Sequence, residues 1–159
     1  MSSKNASSLL LLINGVGIAG RVLPALAAHR FGPLNLMIPL TLLSGVILFC
    51  WAAVKDYQGI LVFDVIYGFI MAAGQGMFPP SLGSLTTDVS RMGVRMGMVF
   101  SICGLALLVG QPLGGVLVTA GGGSYLYTQI YSGTAMTLGS IFMMGARISS
   151  KGWKVWAKV

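Results

Sequence analysis

One arginine, Arg21, lies inside a long apolar run between Leu9 and Ala28. A guanidinium near the centre of a membrane helix costs about 2.5–3.5 kcal/mol unless it is paired or hydrated. Its fixed charge and forked donors suit a carboxylate. Arg21 is therefore a candidate for binding an organic anion. The alternative is that its long side chain reaches water at the end of the run.

Three uncharged polar side chains also interrupt apolar runs: Asn14, Gln75 and Gln111. Their amide groups could line a path for a substrate. They could equally form hydrogen bonds between helices, which average about 0.6 kcal/mol each in membranes. We treat all three as substrate-binding candidates together with Arg21.

Two residues could carry a proton. Asp64 lies in an apolar run, where desolvation can bring an acid to titrate near neutral pH. It is a candidate for proton coupling, and the alternative is an aspartate satisfied at the membrane interface. His29 is the other titratable group, in a predicted loop.

The remaining residue types give no support to an enzyme. The sequence contains no nucleophile–base set, no paired carboxylates and no phosphate-binding loop. Its two cysteines, Cys50 and Cys103, show no CxxC or Cys/His spacing, so we predict neither a metal site nor a cofactor. The ten methionines suit adaptable packing.

The composition indicates the environment in which these residues must work. Of the 159 residues, 55% are apolar and 8% are charged, against about 25% charged in soluble domains. The mean hydropathy is +0.86. The net charge of +7 is spread between apolar runs rather than along one face, so nucleic acid is not the expected partner. The partner predicted for this surface is the lipid bilayer.

Five apolar runs are long enough to cross a bilayer, which takes about 20 helical residues. They lack the alternating pattern of barrel strands, so we predict an all-α, multi-pass membrane protein of about five transmembrane helices in one domain, 1–159. The approximate helix bounds are 9–28, 36–54, 59–87, 96–120 and 124–146. Gly110 and Gly114 form a GxxxG pair within the fourth run, and Gly93 and Gly97 form another at its entry. This pattern permits close helix packing.

The positive residues predict the orientation of these helices. Basic residues gather on the cytoplasmic side of membrane proteins. One side would carry Arg30, Arg91, Arg95, Arg147, Lys151, Lys154 and Lys158, and the other Lys4 and Lys55. The C-terminus is therefore expected in the cytoplasm and the N-terminus outside. The tail 147–159 mixes Trp with Lys and is expected to anchor at the interface, with a protein-docking motif as the alternative.

Several stretches, in order along the chain, resemble one family. NGVGIAGRVLPALAAHRFGPLN, from Asn14 to Asn35, is similar to the eighth helix and following loop of fungal monocarboxylate-transporter-like members of the major facilitator superfamily. YGFIMAAGQGMFPPSLGSL, from Tyr67 to Leu85, resembles the tenth helix. GVRMGMVFSICGLALLVGQPLGG, from Gly93 to Gly115, resembles the eleventh, while Tyr131-Ser132-Gly133 and Arg147 resemble the twelfth.

The resemblance implies helices eight to twelve of twelve, a partial C-terminal six-helix bundle whose seven preceding helices have no counterpart. It implies a transporter that moves a small organic anion or metabolite by alternating access, with secondary-metabolite efflux among its relatives and the plasma membrane as its site. It further implies that the residue matching Arg21 binds anionic substrate. Gly20, His29, Arg30 and Gly32 would belong to a gating-loop motif, in which His29 replaces the family's aspartate.

Two expectations about activity follow. The first is a truncated transporter that needs a missing N-terminal bundle, because alternating access requires two bundles to rock about a central site. The second, from another class, is a non-transporting remnant or membrane interaction protein. A third explanation is that the gene model is incomplete, in which case the full protein would be a transporter as in the first expectation.

Overall fold

The structure, a computed structural model, describes residues 3–54, 56–86 and 88–151. Within these ranges the chain forms long helices joined by short turns, and no strand. The helices are α1 (Ser3–Phe31), α2 (Pro33–Trp51), α3 (Tyr57–Ser84), α4 (Met92–Ala120) and α5 (Leu126–Lys151), with a short 3-10 turn at Val89–Arg91. The predicted tail continues to residue 159, and its part at 152–159 lies outside the described residues, as does Lys55.

Four of these helices, α1 to α4, are long and apolar enough to cross a membrane over the described residues. Together they make the chain an all-α, multi-pass membrane protein. The observed helices are longer than several predicted runs. α1 ends at Phe31 rather than near residue 28, and α2 already begins at Pro33. Proline favours this first helical position because it has no N–H to leave unpaired there.

The fifth predicted span, α5, has 26 residues, or about 39 Å, which is long enough to cross a bilayer. Over the described residues, however, its mean hydropathy is lower than that of the four helices named above. Three of its polar residues, Gln129, Ser140 and Arg147, are buried, whereas Thr134 is exposed. Its exposed positions include Ile130, Ile141 and Phe142. α5 thus places these three polar side chains inside the bundle and large apolar side chains outward, and its crossing of the bilayer stays a prediction.

Glycines shape the turns at both ends of the bundle. α1 and α2 are separated by Gly32 alone, whose φ of 84° lies in the left-handed region that favours glycine. α4 ends in a turn where Gly122 and Gly123 have φ of 63° and 88°. The Gly123 N–H donates to the Val118 carbonyl at 2.9 Å, which satisfies the end of α4.

α1 and α3 run parallel and approach closely through small residues. A Cβ added at Gly20 would lie 2.5 Å from the Phe69 carbonyl oxygen, which is backbone. One added at Gly68 would lie 2.7 Å from the Ile13 side chain. Glycine therefore sets the distance between these helices, as small residues do in membrane bundles.

α2 packs between α3 and α5. Trp51 stacks on Phe63 of α3, with ring centroids 5.4 Å apart. On the other side, the Ser140 hydroxyl of α5 donates to the Ile38 carbonyl at 3.2 Å. Near the end of the same pair, Arg147 Nε donates to Asn35 Oδ1. These contacts make α1, α2, α3 and α5 one packed unit.

α4 stands apart from this unit. None of its described residues is buried. Phe100 meets Phe78 of α3 edge to face, with ring centroids 5.7 Å apart, and the Thr128 hydroxyl of α5 donates to the Gly114 carbonyl at 3.4 Å. A Cβ added at Gly93, Gly97, Gly110 or Gly114 would meet no atom within 4 Å in the described part of the chain. Both GxxxG pairs of α4 therefore leave open space beside their Cα atoms.

Basic residues meet at one end of the bundle, where α1 and α3 end and α2 and α4 begin. They are Arg30, Arg91, Arg95 and Arg147. Asp88 lies there too, with its carboxylate 3.5 Å from Arg91 Nε. Hydrogen bonds from the Ser90 hydroxyl and backbone N–H lower the pKa of the Asp88 carboxyl below its ordinary value.

Candidate functional site

Arg21 lies at the contact between α1 and α3. Its Nη2 donates to Gln75 Oε1 at 3.5 Å, a long hydrogen bond between two helices. Its Nη1 lies 3.8 Å from the position of a Cβ added at Gly17, which is one turn toward the start of α1. The guanidinium thus lies beside α3 and points back toward the start of α1. It does not extend toward the end of α1 at Phe31, as the alternative of reaching water there would require.

A pocket of about 170 Å³ surrounds this group. It brings together three of the four predicted binding residues: Asn14, Arg21 and Gln75. The Asn14 amide donates to the Leu10 carbonyl at 2.7 Å, within its own helix. All three side chains are exposed in the described chain. The other lining residues are Ile13, Gly17, Gly68, Met71 and Ala72.

Small residues make room for this pocket. Gly17 lies one turn before Arg21 on α1, at the position where an acidic partner would face the arginine. A Cβ added at Gly76 of α3 would lie 3.5 Å from the Arg21 backbone and side chain. The arginine is therefore held between two glycines, with its charge directed into the pocket beside Gln75.

The other two predicted polar residues lie elsewhere. Gln111 is exposed on α4 and does not line this pocket. Asp64 lies on α3 eleven residues before Gln75, which is about 16 Å along a helix. Its Oδ2 is buried without a hydrogen-bond partner in the described chain. Asp64 is too far away to pair directly with Arg21.

The predicted gating-loop residues divide between two environments. His29 and Arg30 are exposed in the last turn of α1, and Gly32 forms the turn itself. Gly20 is buried against α3, three turns away from them. The segment from His29 to Gly32 is thus largely helical rather than an extended loop.

A larger cavity, of about 410 Å³, adjoins the arginine pocket. The two share Met71 and Gln75 as lining residues. The cavity is mostly apolar, and four methionines and Cys103 contribute to its walls. The sequence alone could not predict it, because its lining residues come from four different helices. Its lining is Met37, Thr41, Ser44, Met71, Gly74, Gln75, Phe78, Phe100, Cys103, Leu107, Met136 and Met143.

Together the two cavities can hold an amphipathic molecule. The Arg21 end offers a fixed positive charge and amide donors, which suit an anionic group. The methionine end offers flexible, polarisable side chains that adapt to varied apolar shapes. Among the described residues, no group of His, Cys, Asp or Glu could hold a metal ion. The arrangement favours binding over bond-making chemistry.

Sequence comparisons identify relatives of known class. The chain is 37% identical over 142 residues to an MFS-type transporter from Gibberella zeae. It is 30% identical over 150 residues to an aspyridones efflux protein from Emericella nidulans, and 33% identical over 149 residues to an agnestins efflux protein from Paecilomyces divaricatus. These matches cover 89%, 94% and 94% of this chain. The names describe transporters and efflux proteins, not enzymes.

The chain spans about a third of the length of these relatives, between 31% and 34%. No family model matches the chain, and no solved structure gives a significant match.

Proposed function

We propose that this chain, related in sequence to MFS-type transporters, is part of a transporter that moves an organic anion or metabolite by alternating access. The arginine pocket beside Gln75 carries this proposal, because it is a charged site held between two helices of an apolar bundle. In this account the chain corresponds to helices eight to twelve of the monocarboxylate-transporter-like family. It lies in the plasma membrane with its C-terminus in the cytoplasm.

The shape of the site supports an amphipathic substrate. The pocket of about 170 Å³ at Arg21 has room for a small anionic group. The adjoining cavity of about 410 Å³ is in the range of pockets that hold drug-sized molecules. Two relatives are named for the efflux of aspyridones and agnestins. For this chain we therefore propose a metabolite with an acidic group and an apolar body.

Transport by this account needs the part of the relatives that the chain does not match. In the described chain α4 has no buried residue, and its two GxxxG pairs have open space beside them, although such pairs commonly pack against another helix. The relatives are about three times as long. We propose that α4 packs against their additional, N-terminal bundle, and that transport requires both.

A segment-exchange chimera tests this function. In it, the chain replaces the matching segment of the aspyridones efflux protein from Emericella nidulans. We expect proteoliposomes that contain the chimera to transport aspyridones, because the borrowed part supplies the second bundle. The 159-residue chain alone should give no flux above empty vesicles. The measurement is time-resolved uptake into vesicles, with the unaltered relative as the positive control.

The proposal fails if the chimera inserts into the membrane and is folded, as judged by a cooperative unfolding transition, but transports neither aspyridones nor any of a panel of organic anions. That result would leave a non-transporting remnant or membrane interaction protein as the function. Sequencing the transcript's 5′ end provides an independent check, since the proposal expects it to encode further apolar helices in frame.

Protection of a cysteine tests whether the substrate enters the larger cavity. Cys103 lines that cavity, whereas Cys50 is exposed on α2 and does not. In the active chimera we expect a transported anion to slow alkylation of Cys103 by N-ethylmaleimide at least about threefold, the value for two-thirds occupancy. Peptide mass spectrometry follows each thiol separately. Cys50 should react at the same rate with and without the anion, and equal rates at Cys103 would exclude the cavity from the substrate path.

A further inference from the structure

Away from Arg21, a hydrogen-bonded pair of polar side chains, Arg147 and Asn35, lies at the edge of an apolar groove between α2 and α5. Arg147 is 8% exposed, and its Nε donates to Asn35 Oδ1. The Asn35 amide donates in turn to the Phe31 carbonyl at 2.9 Å. Both residues line a groove of about 320 Å³ whose other walls are apolar: Ile38, Pro39, Leu42, Met144 and Ile148. This groove shares no lining residue with the arginine pocket or the larger cavity.

The position of the groove matches the outline of a lipid. Its polar end is at Asn35, near the start of α2, and its apolar walls continue along α2 to Leu42. These residues are seven apart, or about 10 Å along the helix. Pro39 and Leu42 are exposed on the outer surface of the α2–α5 pair. A molecule with a charged head and an apolar chain can therefore enter from the bilayer side.

The charge at this end of the bundle selects the sign of the head group. Arg30, Arg91 and Arg95 lie at the same end as Arg147, accompanied by Asp88. The start of α2 adds the partial positive charge of a helix N-terminus. Basic pockets between membrane helices bind anionic head groups in this way.

We propose that Arg147 and this groove bind one anionic phospholipid, with its phosphate at the guanidinium and one acyl chain along Ile38, Leu42 and Met144. The lipid would occupy the wedge between α2 and α5 and hold the two helices at a fixed spacing at this end. The site does not depend on transport, so it can be tested on the 159-residue chain itself.

The experiment compares lipids on the chain purified in dodecyl maltoside. Native mass spectrometry counts retained lipids, and titration gives a dissociation constant. We expect one tightly retained phosphatidylglycerol and weaker retention of phosphatidylcholine, whose head group has no net charge. Inorganic phosphate alone should compete weakly, because it cannot use the apolar groove. Equal retention of both lipids, or full competition by phosphate, would overturn the proposal.

Variants assign the binding to this groove. Arg147→Gln should weaken phosphatidylglycerol binding about tenfold, because a charge-assisted hydrogen bond is lost. Leu42→Trp fills the apolar end at an exposed position, and it should weaken binding similarly while leaving Arg147 in place. Arg95→Gln removes an exposed charge at the same end and serves as the matched control. If Leu42→Trp binds phosphatidylglycerol as tightly as the unaltered chain, the lipid lies elsewhere.

Discussion

Replacing Arg21 by glutamine is expected to lower the flux of an organic anion through the segment-exchange chimera by about 10- to 100-fold. The guanidinium supplies the fixed positive charge in the pocket that also contains Asn14 and Gln75. A glutamine retains hydrogen-bonding capacity and lacks the charge, so the loss should appear as weaker binding of the anion. Initial rates over a range of anion concentrations measure it.

Two controls separate this role from a general effect of charge. Arg95→Gln removes a positive charge at the end of the bundle and should leave the flux nearly unchanged. The methyl ester of the same acid carries no charge, so its flux should respond little to Arg21→Gln. Arg21→Lys should retain part of the activity, because lysine keeps the charge without the forked donors. Unchanged anion flux in Arg21→Gln would remove Arg21 from the substrate site.

Gly20→Ala is expected to destabilise the helix bundle by about 1–3 kcal/mol, the usual cost of overpacking. The new Cβ would lie 2.5 Å from the Phe69 carbonyl oxygen and 3.2 Å from the Ala72 Cβ. Because the first of these is backbone of another helix, no side-chain rotation can relieve the contact, and α1 must move away from α3. Thermal unfolding of the purified chain, followed by circular dichroism, measures the loss.

Gly15→Ala is the matched control for this prediction. It lies on the same helix, and a Cβ there meets no atom within 4 Å in the described chain. Alanine favours a helix over glycine, so Gly15→Ala should unfold at the same temperature as the unaltered chain or slightly higher. If both variants unfold alike, the close approach of α1 and α3 does not set the stability of the bundle. Since Arg21 and Gln75 face each other across this contact, Gly20→Ala should also reduce transport by the chimera.

The sequence was sufficient to predict the helices because membrane spans are marked by apolar length, which is a local property. α1 to α4 meet that criterion over the described residues. α5 is the instructive exception. It buries Gln129, Ser140 and Arg147, and the last two hydrogen-bond to α2. These polar groups lower its mean hydropathy although many of its outer positions are apolar. The mean hydropathy of a sequence window is the same whether its polar residues share one inward face of a membrane helix or belong to a segment that lies in water.

The site could be predicted only in part. Arg21 was marked by the cost of its charge, and Asn14 lies two turns away on the same helix. That Gln75 joins them depends on how α1 and α3 pack, which glycines at positions 17, 20, 68 and 76 determine through contacts across the bundle. Gln111, of the same residue type, lies on α4 away from the pocket. The methionine-lined cavity combines four helices, and no spacing along the chain reveals it.

Labelling from the two sides of a sealed membrane tests whether the chain crosses the bilayer several times with its basic end in the cytoplasm, as proposed above. Single cysteines at Asp56 and Ser124 probe one end of the bundle, and cysteines at Arg30 and Asp88 probe the other, in a background where Cys50 and Cys103 are serine. We predict that an impermeant maleimide labels the first pair in intact cells and the second pair only after permeabilisation. Labelling of all four positions from the same side would contradict this account.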